Sequence, residues 1–386
     1  MKRTWAEIDI DALKFNVENI RKITNPKAKI MAVVKADAYG HGYRECCKVL
    51  LSCGVDCFAV AMVDEAKELR RIGISAPVLV LGAIAPDEVD EFVENDIIAT
   101  VFDVRSARAL SEAAIRHNKE VKIHIKIDTG MSRLGFASGE DNTRVISEIQ
   151  KISKLPGIVI DGIFSHFACA DEENREYTLM QLNRFLRLTD ELAAVGIKIP
   201  CRHIANSAGI MMYPEAHLDM VRAGVILYGY HPSEEVDKTR LPLKPVMTLK
   251  SHIAYIKETE AGTGVSYGKT YITDKKTKIA TIPIGYADGY LRCLSHKAKI
   301  ETGGTLCDVI GRICMDQCMI DVTNVNNIDV GDEVIIFGSG QISADDVAAL
   351  MNTINYEVLC LVSKRIPRIY KEKGREIIAI IYLDEI

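Results

Sequence analysis

Basic and hydroxyl side chains stand where several short apolar runs of this sequence end. Lys35 directly follows one such run, Ile30–Val34. A lysine shielded from water has a lowered pKa, and its neutral amine can form a Schiff base with a carbonyl compound. The alternative is a lysine whose stem lies on apolar surface while its amine reaches water, and this position alone favours neither. Gly40 and Gly42, just after Tyr39, predict a close approach of the backbone to a ligand.

Later runs carry residues of the same kinds. Lys126 lies inside an apolar run, so it needs neutralisation, a partner or a modification if it points inward, and it is solvated if it points outward. His166 could stack on an aromatic ligand or bond to the backbone within a core. Ser207 could hold a phosphate or cap a helix. The residues at these ends are Lys35, Lys126, Arg133, His166, His203, Ser207, Arg222 and Gly224. Because several runs end this way, we interpret them as one site.

The elements that must position this site alternate between strand and helix over the first 230 residues. The strand-like runs are Lys29–Lys35, Cys57–Met62, Pro77–Gly82, Ile97–Phe102, Val121–Asp128, Ile158–His166, Arg202–Asn206 and Met220–Gly229. Amphipathic stretches such as Asp64–Arg71, Ser106–His117 and Glu173–Val195 lie between them. Eight strands with intervening helices predict an α/β fold, a (β/α)8 TIM barrel, whose functional groups gather at the carboxyl ends of its strands.

After about Pro242 the pattern becomes mostly β. Strand-like runs are Lys250–Lys257, Lys278–Ile284, Ala298–Glu301, Cys307–Ile310, Cys318–Val322, Glu333–Phe337 and Ile377–Leu383, and only Ala344–Met351 and Tyr356–Lys364 resemble helices. We therefore predict a barrel domain over residues 1–242 and a C-terminal β domain over residues 243–386.

Composition narrows the classes of function. The net charge of the 386 residues is −5, which argues against a nucleic-acid partner, and no run is long enough to span a membrane. The eleven cysteines form no Cys-x-x-Cys pair and fit a reducing cytoplasm better than a disulfide framework. Cys314 and Cys318 lack neighbouring Cys or His ligands, so no metal site is expected.

Seven segments resemble the alanine racemase family, in matching order and spacing along essentially the whole chain. They are AVVKADAYGHG, HIKIDTGMSRLGF, HIANS, VRAGVILYG, GVSYG, IGYADGY and GRICMDQ. The resemblance implies a pyridoxal 5'-phosphate barrel with a β domain. It further implies a head-to-tail homodimer with shared active sites that interconverts L-alanine and D-alanine.

The resemblance also assigns cofactor roles to matching positions. Lys35 would bind the cofactor as a Schiff base, Arg133 would contact its phenolic oxygen, and His166 would lie against its ring. The phosphate would be held by Tyr39, Ser207, Gly224, Val225 and Tyr356. Arg222, supported by His203, would face the pyridine nitrogen, where an arginine leaves the nitrogen unprotonated and a carboxylate would protonate it. Lys126 matches a position that family members often carry as a carbamate.

Racemisation removes a proton from one face of Cα and returns one to the other, which calls for two bases. By the resemblance these are Lys35 and, from the other subunit, Tyr267. A tyrosine has an ordinary pKa of about 10 and needs a cation nearby to act as a base. Tyr286 and Met315 would receive the substrate carboxylate. The residues that would line the access path are Asp171, Arg292, Arg312 and Ile354.

Three other functions remain open at this stage. A serine or broader amino-acid racemase is one, although the bulk of Tyr356 favours a small substrate. A non-catalytic pyridoxal phosphate carrier is another, although such carriers need neither the β domain nor Tyr267. The related decarboxylases have an acidic residue where this chain has Arg222, which ranks them lowest.

Overall fold

The structure, a computed structural model, describes residues 3–382. The chain forms two compact units. The barrel unit comprises Lys14–Ala38 and Tyr43–Leu243, and the β unit comprises the N-terminal residues to Leu13, Tyr39–Gly42 and the chain from Lys244 onward. The second boundary lies one residue from the predicted junction, whereas the N-terminal residues fall in the β unit and not in the barrel.

All eight predicted barrel strands are present. They are β2 (Lys29–Val33), β3 (Cys57–Val60), β4 (Val78–Val80), β5 (Ala99–Val101), β6 (Val121–Asp128), β8 (Ile158–Phe164), β9 (Arg202–His203) and β10 (Met220–Ala223), and the short β7 (Phe136–Ala137) pairs with β6. Parallel pairing runs in two arcs, β10-β2-β3-β4 and β5-β6-β8-β9. The arcs join through a parallel bridge between Leu79 and Ile98 and through the Arg222 amide, which donates to the Ala205 carbonyl at 3.0 Å. The barrel prediction is therefore confirmed.

Helices cover the predicted amphipathic stretches. They are α1 (Ile10–Ile23), α2 (Tyr43–Ser52), α3 (Val63–Arg71), α4 (Val89–Glu94), α5 (Val104–Arg116), α6 (Thr143–Ile152), α7 (Glu176–Ala194) and α8 (Ser207–Met212). Local chemistry sets some of their ends: the Asp103 carboxylate caps α5 by accepting from the Ser106 amide at 2.7 Å. Within residues 3–382, every helix is too short or too polar to cross a membrane.

Within the described residues, the β unit contains twelve strands. They are β1 (Thr4–Asp9), β11 (Met247–His252), β12 (Tyr255–Thr259), β13 (Gly264–Val265), β14 (Tyr271–Ile272), β15 (Thr277–Ile282), β16 (Lys299–Thr302), β17 (Thr305–Asp308), β18 (Cys318–Asp321), β19 (Glu333–Phe337), β20 (Arg368–Glu372) and β21 (Arg375–Ile380). Seven of them form one sheet in the order β17-β16-β19-β11-β1-β20-β21, and β12, β15 and β18 form a second. Helices α9 (Ala344–Met351) and α10 (Asn355–Leu361) complete the unit. A mostly β C-terminal domain is thus confirmed.

Four details of this unit differ from the sequence prediction. The N-terminal strand β1 pairs with β11 and β20, because its buried side chains, including Ala6 and Ile8, complete the middle of the large sheet. The predicted strand Lys250–Lys257 divides into β11 and β12, and the missed strand β20 is rich in charged residues. The last predicted strand begins earlier, at Arg375, and its Leu383 end lies outside the described residues.

Arg368 is a buried cation that holds the β unit together. Only 1% of the residue is exposed, and its guanidinium donates to backbone carbonyls alone. The acceptors are Gly40 at 2.9 Å, Ser363 at 2.7 Å, Ile366 at 2.6 Å and Val362 at 2.6 Å. Removing the guanidinium would take one hydrogen-bond donor from each of these carbonyls, and the Ser363 carbonyl would keep the Ile366 amide as a donor at 3.1 Å.

We therefore expect Arg368→Met to lower the free energy of unfolding by about 3–5 kcal/mol. Urea unfolding followed by circular dichroism measures the change. Arg375→Met, which removes an exposed arginine from the next strand, is the matched control and should change stability by less than about 0.5 kcal/mol. Equal effects of the two substitutions would contradict the role assigned to Arg368.

Candidate active site at the barrel strand ends

The chain leaves β2 through a left-handed turn that begins at Lys35. Ala36, Asp37, Ala38 and Tyr39 have φ values of 51°, 54°, 54° and 53°. A left-handed conformation costs a non-glycine residue roughly 1–2 kcal/mol. Four in succession persist only where neighbouring groups hold them, and such strain clusters at functional sites. Lys35 itself is half-buried.

Two carboxylates hold this turn. Glu65 of α3 accepts from the Ala36 amide at 2.6 Å with one oxygen and from the Ala61 amide at 2.7 Å with the other. The Asp37 carboxylate accepts from the Tyr43 amide at 2.9 Å, where α2 begins. The turn after Lys35 is therefore tied to the end of β3 and to the next helix.

Arg222 of β10 lies at the centre of the barrel site and is 3% exposed. One guanidinium nitrogen donates to His203 Nδ1 at 2.7 Å. The other donates to the carbonyls of Ser165 and Ile204 at 2.7 and 3.0 Å and lies 3.1 Å from His166 Nδ1. Burial and the Arg133 charge lower the pKa of Arg222 to about 9, so it remains a cation at neutral pH. An inward-facing Arg222 was predicted to need a partner. The structure provides several hydrogen-bond acceptors instead of a single partner.

Lys126 points inward, so the solvated alternative is wrong. It is 6% exposed, and its amine lies 4.4 Å from the centre of the Phe164 ring. Burial, followed by the charges of Arg222 and Arg133, holds the pKa of Lys126 well below its usual range. Arg133 is exposed, and it lines a narrow pocket together with Lys126 and His166.

His166 experiences the combined charge of this site. Burial and four cations hold the pKa of His166 well below its ordinary value, so the ring is neutral. The cations are Arg222, Lys126, Arg133 and Lys35. A region of such concentrated positive charge binds anions.

Ser207 does not cap a helix, so that alternative is wrong. Asn206 caps α8 by accepting from the Gly209 amide at 2.9 Å. The Ser207 hydroxyl instead accepts from the Gly224 amide at 3.1 Å, and Val225 follows directly as the first residue of a 3-10 turn. The structure therefore brings the ends of β9 and β10 together, as the sequence predicts for a phosphate site.

In the β unit, the rings of Tyr39 and Tyr356 lie 6.0 Å apart. Burial, with smaller contributions from Tyr356 and Cys360, raises the pKa of Tyr39. Gly40 follows in a left-handed conformation with φ of 79°, and a Cβ there would stand 2.4 Å from the Leu359 carbonyl. The glycine after Tyr39 thus permits a close approach to the protein's own backbone, whereas the sequence predicted an approach to a ligand.

Tyr267, Tyr286, Met315 and Arg312 gather in another part of the β unit. Tyr267 and Met315 line one open groove of about 840 Å³. Ser266 donates through its hydroxyl to the Arg312 carbonyl at 2.6 Å, and the Tyr286 amide donates to the Cys314 carbonyl at 3.1 Å. Backbone bonds therefore fix Tyr267 and Tyr286 relative to the same segment, Arg312–Met315.

Three predicted residues remain: Arg292, Ile354 and Asp171. Arg292 begins a 3-10 turn that ends before Ser295, whose hydroxyl accepts from the Ile313 amide at 3.0 Å. Ile354 is exposed and precedes α10. Asp171 is half-buried in the barrel unit, and its carbonyl accepts from the Ser233 hydroxyl at 3.1 Å.

Two residues of the site are absent from the sequence prediction. Glu65 lies in a helix among other acidic residues, and nothing in the sequence distinguishes it from Asp64 or Glu68. His124 lies in β6, and its Nδ1 is 2.9 Å from His203 Nε2. His124 alternates with apolar residues along β6, as do Lys122, Lys126 and Asp128, and this alternation is the signal that could have identified it.

The fold and the site together define a class of protein: a (β/α)8 barrel with a basic site at its strand ends, joined to a mostly β C-terminal domain. Residues 8–232 match the family described as alanine racemase, N-terminal domain. Residues 246–370 match alanine racemase, C-terminal domain. The chain belongs to the alanine racemase family.

Individual relatives agree over nearly the full length. Alanine racemase 1 of Clostridium acetobutylicum is 49% identical over 377 residues, which cover 97% of each chain. The solved alanine racemase of Clostridium difficile has a TM-score of 0.96 at 45% identity and covers 99% of both chains. That of Bacillus anthracis with bound L-Ala-P has a TM-score of 0.94 at 36% identity, covering 100% of this chain and 99% of that one.

We expect Glu65→Ala to lower the free energy of unfolding by about 2–4 kcal/mol, since it removes two charge-assisted hydrogen bonds. Amide hydrogen exchange should accelerate at Ala36 and Ala61, the two donors. Asp64→Ala is the control, because that neighbouring carboxylate is 75% exposed. Unchanged exchange at Ala36 would show that other contacts hold the turn.

Proposed function

We propose that this protein interconverts L-alanine and D-alanine with pyridoxal 5'-phosphate as its cofactor. The observation that carries the proposal is the cluster of four cations around a neutral His166 at the end of the barrel, with Lys35 among them. Membership of the alanine racemase family supports the substrate. The relatives' names contain alanine and no other amino acid.

The side chains present fit this cofactor. Pyridoxal phosphate carries a phosphate and a phenolic oxygen, and the site concentrates positive charge with Arg222 and Lys126 buried. Burying several cations together is costly unless anions compensate them. When bound, the cofactor supplies an electron-withdrawing ring that acidifies the Cα–H bond of an attached amino acid.

We assign the cofactor contacts as follows. The Lys35 amine binds the aldehyde carbon, Arg133 and His166 contact the ring and its oxygen, and Arg222, held by His203, faces the pyridine nitrogen. Ser207, Gly224 and Val225 of the barrel unit bind the phosphate. Tyr39 and Tyr356 of the β unit are assigned to the phosphate by resemblance.

The chemistry asked of the chain is proton transfer at Cα. Lys35 serves the face that carries the proton in D-alanine, and Tyr267 serves the face that carries it in L-alanine. Tyr286 and Met315 receive the substrate carboxylate. Asp171, Arg292, Arg312 and Ile354 line the access path. Two bases on opposite faces allow a proton to leave on one side and return on the other.

Lys126 is proposed to carry a carbamate. Its lowered pKa raises the share of neutral amine, and a neutral amine attacks carbon dioxide, forming an N–C bond and releasing a proton. The resulting anion would neutralise part of the surrounding charge and bind Arg133. This explains how a lysine could be retained beside two arginines.

We propose that the active unit is a homodimer with shared sites. Tyr267, Met315 and Ile354 are 69%, 53% and 57% exposed in the single chain. Large apolar and aromatic side chains exposed to this degree are typical of a surface that a partner covers. In this arrangement Tyr267, Tyr286 and Met315 act at the Lys35 of the other subunit. The cysteines are present as thiols, which supports a cytoplasmic location.

Lys35→Ala should abolish racemisation, by a factor on the order of 10³ or more, because it removes both the covalent attachment and one base. Chiral chromatography of L-alanine and L-serine, run side by side with added pyridoxal phosphate, measures this and the substrate preference. Lys48→Ala, which removes an exposed lysine of α2, is the control. A yellow wild-type protein that racemises neither amino acid would favour the carrier function, and faster turnover of serine would favour the serine racemase.

Tyr267→Phe should retain the bound cofactor and still exchange the α-proton of D-alanine with deuterium. It should lose exchange from L-alanine and lose racemisation by about 10²–10⁴-fold, because one base remains. NMR in heavy water with each enantiomer separately is the measurement. Tyr255→Phe, at another exposed tyrosine of the β unit, should leave both exchanges unchanged.

Mixing the inactive Lys35→Ala and Tyr267→Phe chains tests the sharing of sites. A mixed dimer has one site with both native bases, so some activity should return after subunit exchange. Equal exchange of both enantiomers by Tyr267→Phe would refute the two-base assignment. Inactive mixtures despite demonstrated subunit exchange would refute the assignment of Tyr267 to the partner's site.

A further inference from the structure

We propose that His124 and Asp161 are positioning residues for Arg222. With His203 they form a one-way series, in which Arg222 donates a hydrogen bond to His203, His203 donates one to His124, and the N–H of His124 faces the Asp161 carboxylate on strand β8 across 3.8 Å. The series fixes the tautomer of each histidine and thereby the orientation of the guanidinium. Its meaning for catalysis rests on the proposed function, in which Arg222 faces the cofactor, but its existence does not.

The direction of the series follows from the chemistry of arginine. A guanidinium has donors only, so His203 Nδ1, 2.7 Å from Arg222, must accept. A neutral imidazole that accepts at Nδ1 carries its proton at Nε2. His203 Nε2 lies 2.9 Å from His124 Nδ1, which must therefore accept in turn, and the proton of His124 is placed at Nε2.

The series ends at Asp161. His124 Nε2 lies 3.8 Å from the Asp161 carboxylate, a distance at which the attraction is mainly electrostatic. His124 beside it holds the pKa of Asp161 below its usual range, while burial lowers the pKa of His124. The carboxylate is 38% exposed and the His124 side chain 3% exposed. The partly exposed Asp161 carboxylate is thus an anion that faces the neutral, buried ring of His124.

The strands are shaped to admit the His124 ring. The pairing of β6 with β8 shifts register between Ile123 and His124, and a bulge of this kind redirects a side chain. Opposite His124 stands Gly162, where a Cβ would lie 2.7–2.8 Å from three ring atoms. Any larger residue would displace the ring. The backbone irregularity and the glycine both serve the placement of one histidine.

Packing fixes the second histidine in the same way. The His203 ring is fully buried and stacks on Phe164, with centroids 4.8 Å apart and planes 1° apart. Arg222 lies over the same ring, its central carbon 5.3 Å from the centroid. Because Phe164 fixes the plane of His203, the remaining freedom of that ring is its tautomer, which the donor Arg222 and the acceptor His124 determine together.

Nitrogen-15 NMR of histidine-labelled protein tests the series without reference to activity. The chain contains nine histidines, so the two signals can be assigned by comparison with variants. In the cofactor-free and the cofactor-loaded protein, His124 and His203 should both be neutral, with the proton on Nε2. A proton on Nδ1 of either ring, or a doubly protonated ring at neutral pH, would overturn the proposal.

Two pairs of variants test the consequence for Arg222. His124→Asn keeps an acceptor where Nδ1 stands, whereas His124→Phe keeps the ring shape without an acceptor. Asp161→Asn keeps an oxygen without the charge, whereas Asp161→Ala removes the oxygen and the charge. Because Asp161 is partly exposed, we expect both variants to fold. His124→Phe and Asp161→Ala should each lower kcat about tenfold, in the range usual for partners that orient a functional residue. His124→Asn and Asp161→Asn should lower kcat less. The absorption band of the bound cofactor should shift in the same order.

Asp190→Ala is the matched control, since it removes an equal, exposed charge from helix α7 instead of from the strand beside His124. It should leave the tautomers, the band and kcat unchanged. An unaltered absorption band and an unaltered kcat in both His124→Phe and Asp161→Ala would overturn the proposal. A wild-type protein with the expected tautomers that fails to racemise alanine would instead overturn the proposed function alone.

Discussion

A buried guanidinium can only donate, and this constraint organises the barrel site. Every group that faces Arg222 must accept: two carbonyls, at Ser165 and Ile204, and the Nδ1 atoms of His203 and His166. Both histidines are therefore held neutral, in agreement with their lowered pKa values. Positive charge is concentrated at Arg222, Lys126, Arg133 and Lys35. An anionic ligand would compensate this charge.

The barrel could be predicted from sequence because strands buried on both faces read as continuous apolar runs, as in Cys57–Val60. The residues at the run ends could be found for the same reason, since a charged side chain interrupts such a run visibly. β1 could not be assigned to its unit, because the pattern that makes a strand does not specify its partner. Strand β20 was missed because three of its five residues are charged. The pairing of His124 with His203 depends on a register shift and on a glycine, which only the paired strands reveal.

Left-handed backbone occurs directly beside both residues proposed as bases. The turn after Lys35 contains four successive residues with positive φ, and Ser266, directly before Tyr267, has φ of 63°. Gly268 and Lys269 follow with φ of 75° and 47°. Conformations of this kind persist where hydrogen bonds compensate them, as Glu65 and the Ser266 hydroxyl do here. Rigidity at these positions restricts the directions from which each side chain can approach a substrate, which suits bases that must serve opposite faces.

The central place of β1 in the seven-stranded sheet affects how the molecule can be divided. Strand Thr4–Asp9 pairs with β11 on one side and β20 on the other, although more than 230 residues, most of them in the barrel unit, separate it in sequence from β11. A gene fragment starting at Lys244 would therefore encode a split sheet with two unsatisfied edges, and such edges promote association with other chains. Recombinant dissection or domain exchange would have to carry this N-terminal segment along, for example by re-attaching it through a linker. The boundary between the two units therefore does not correspond to a single position in the sequence.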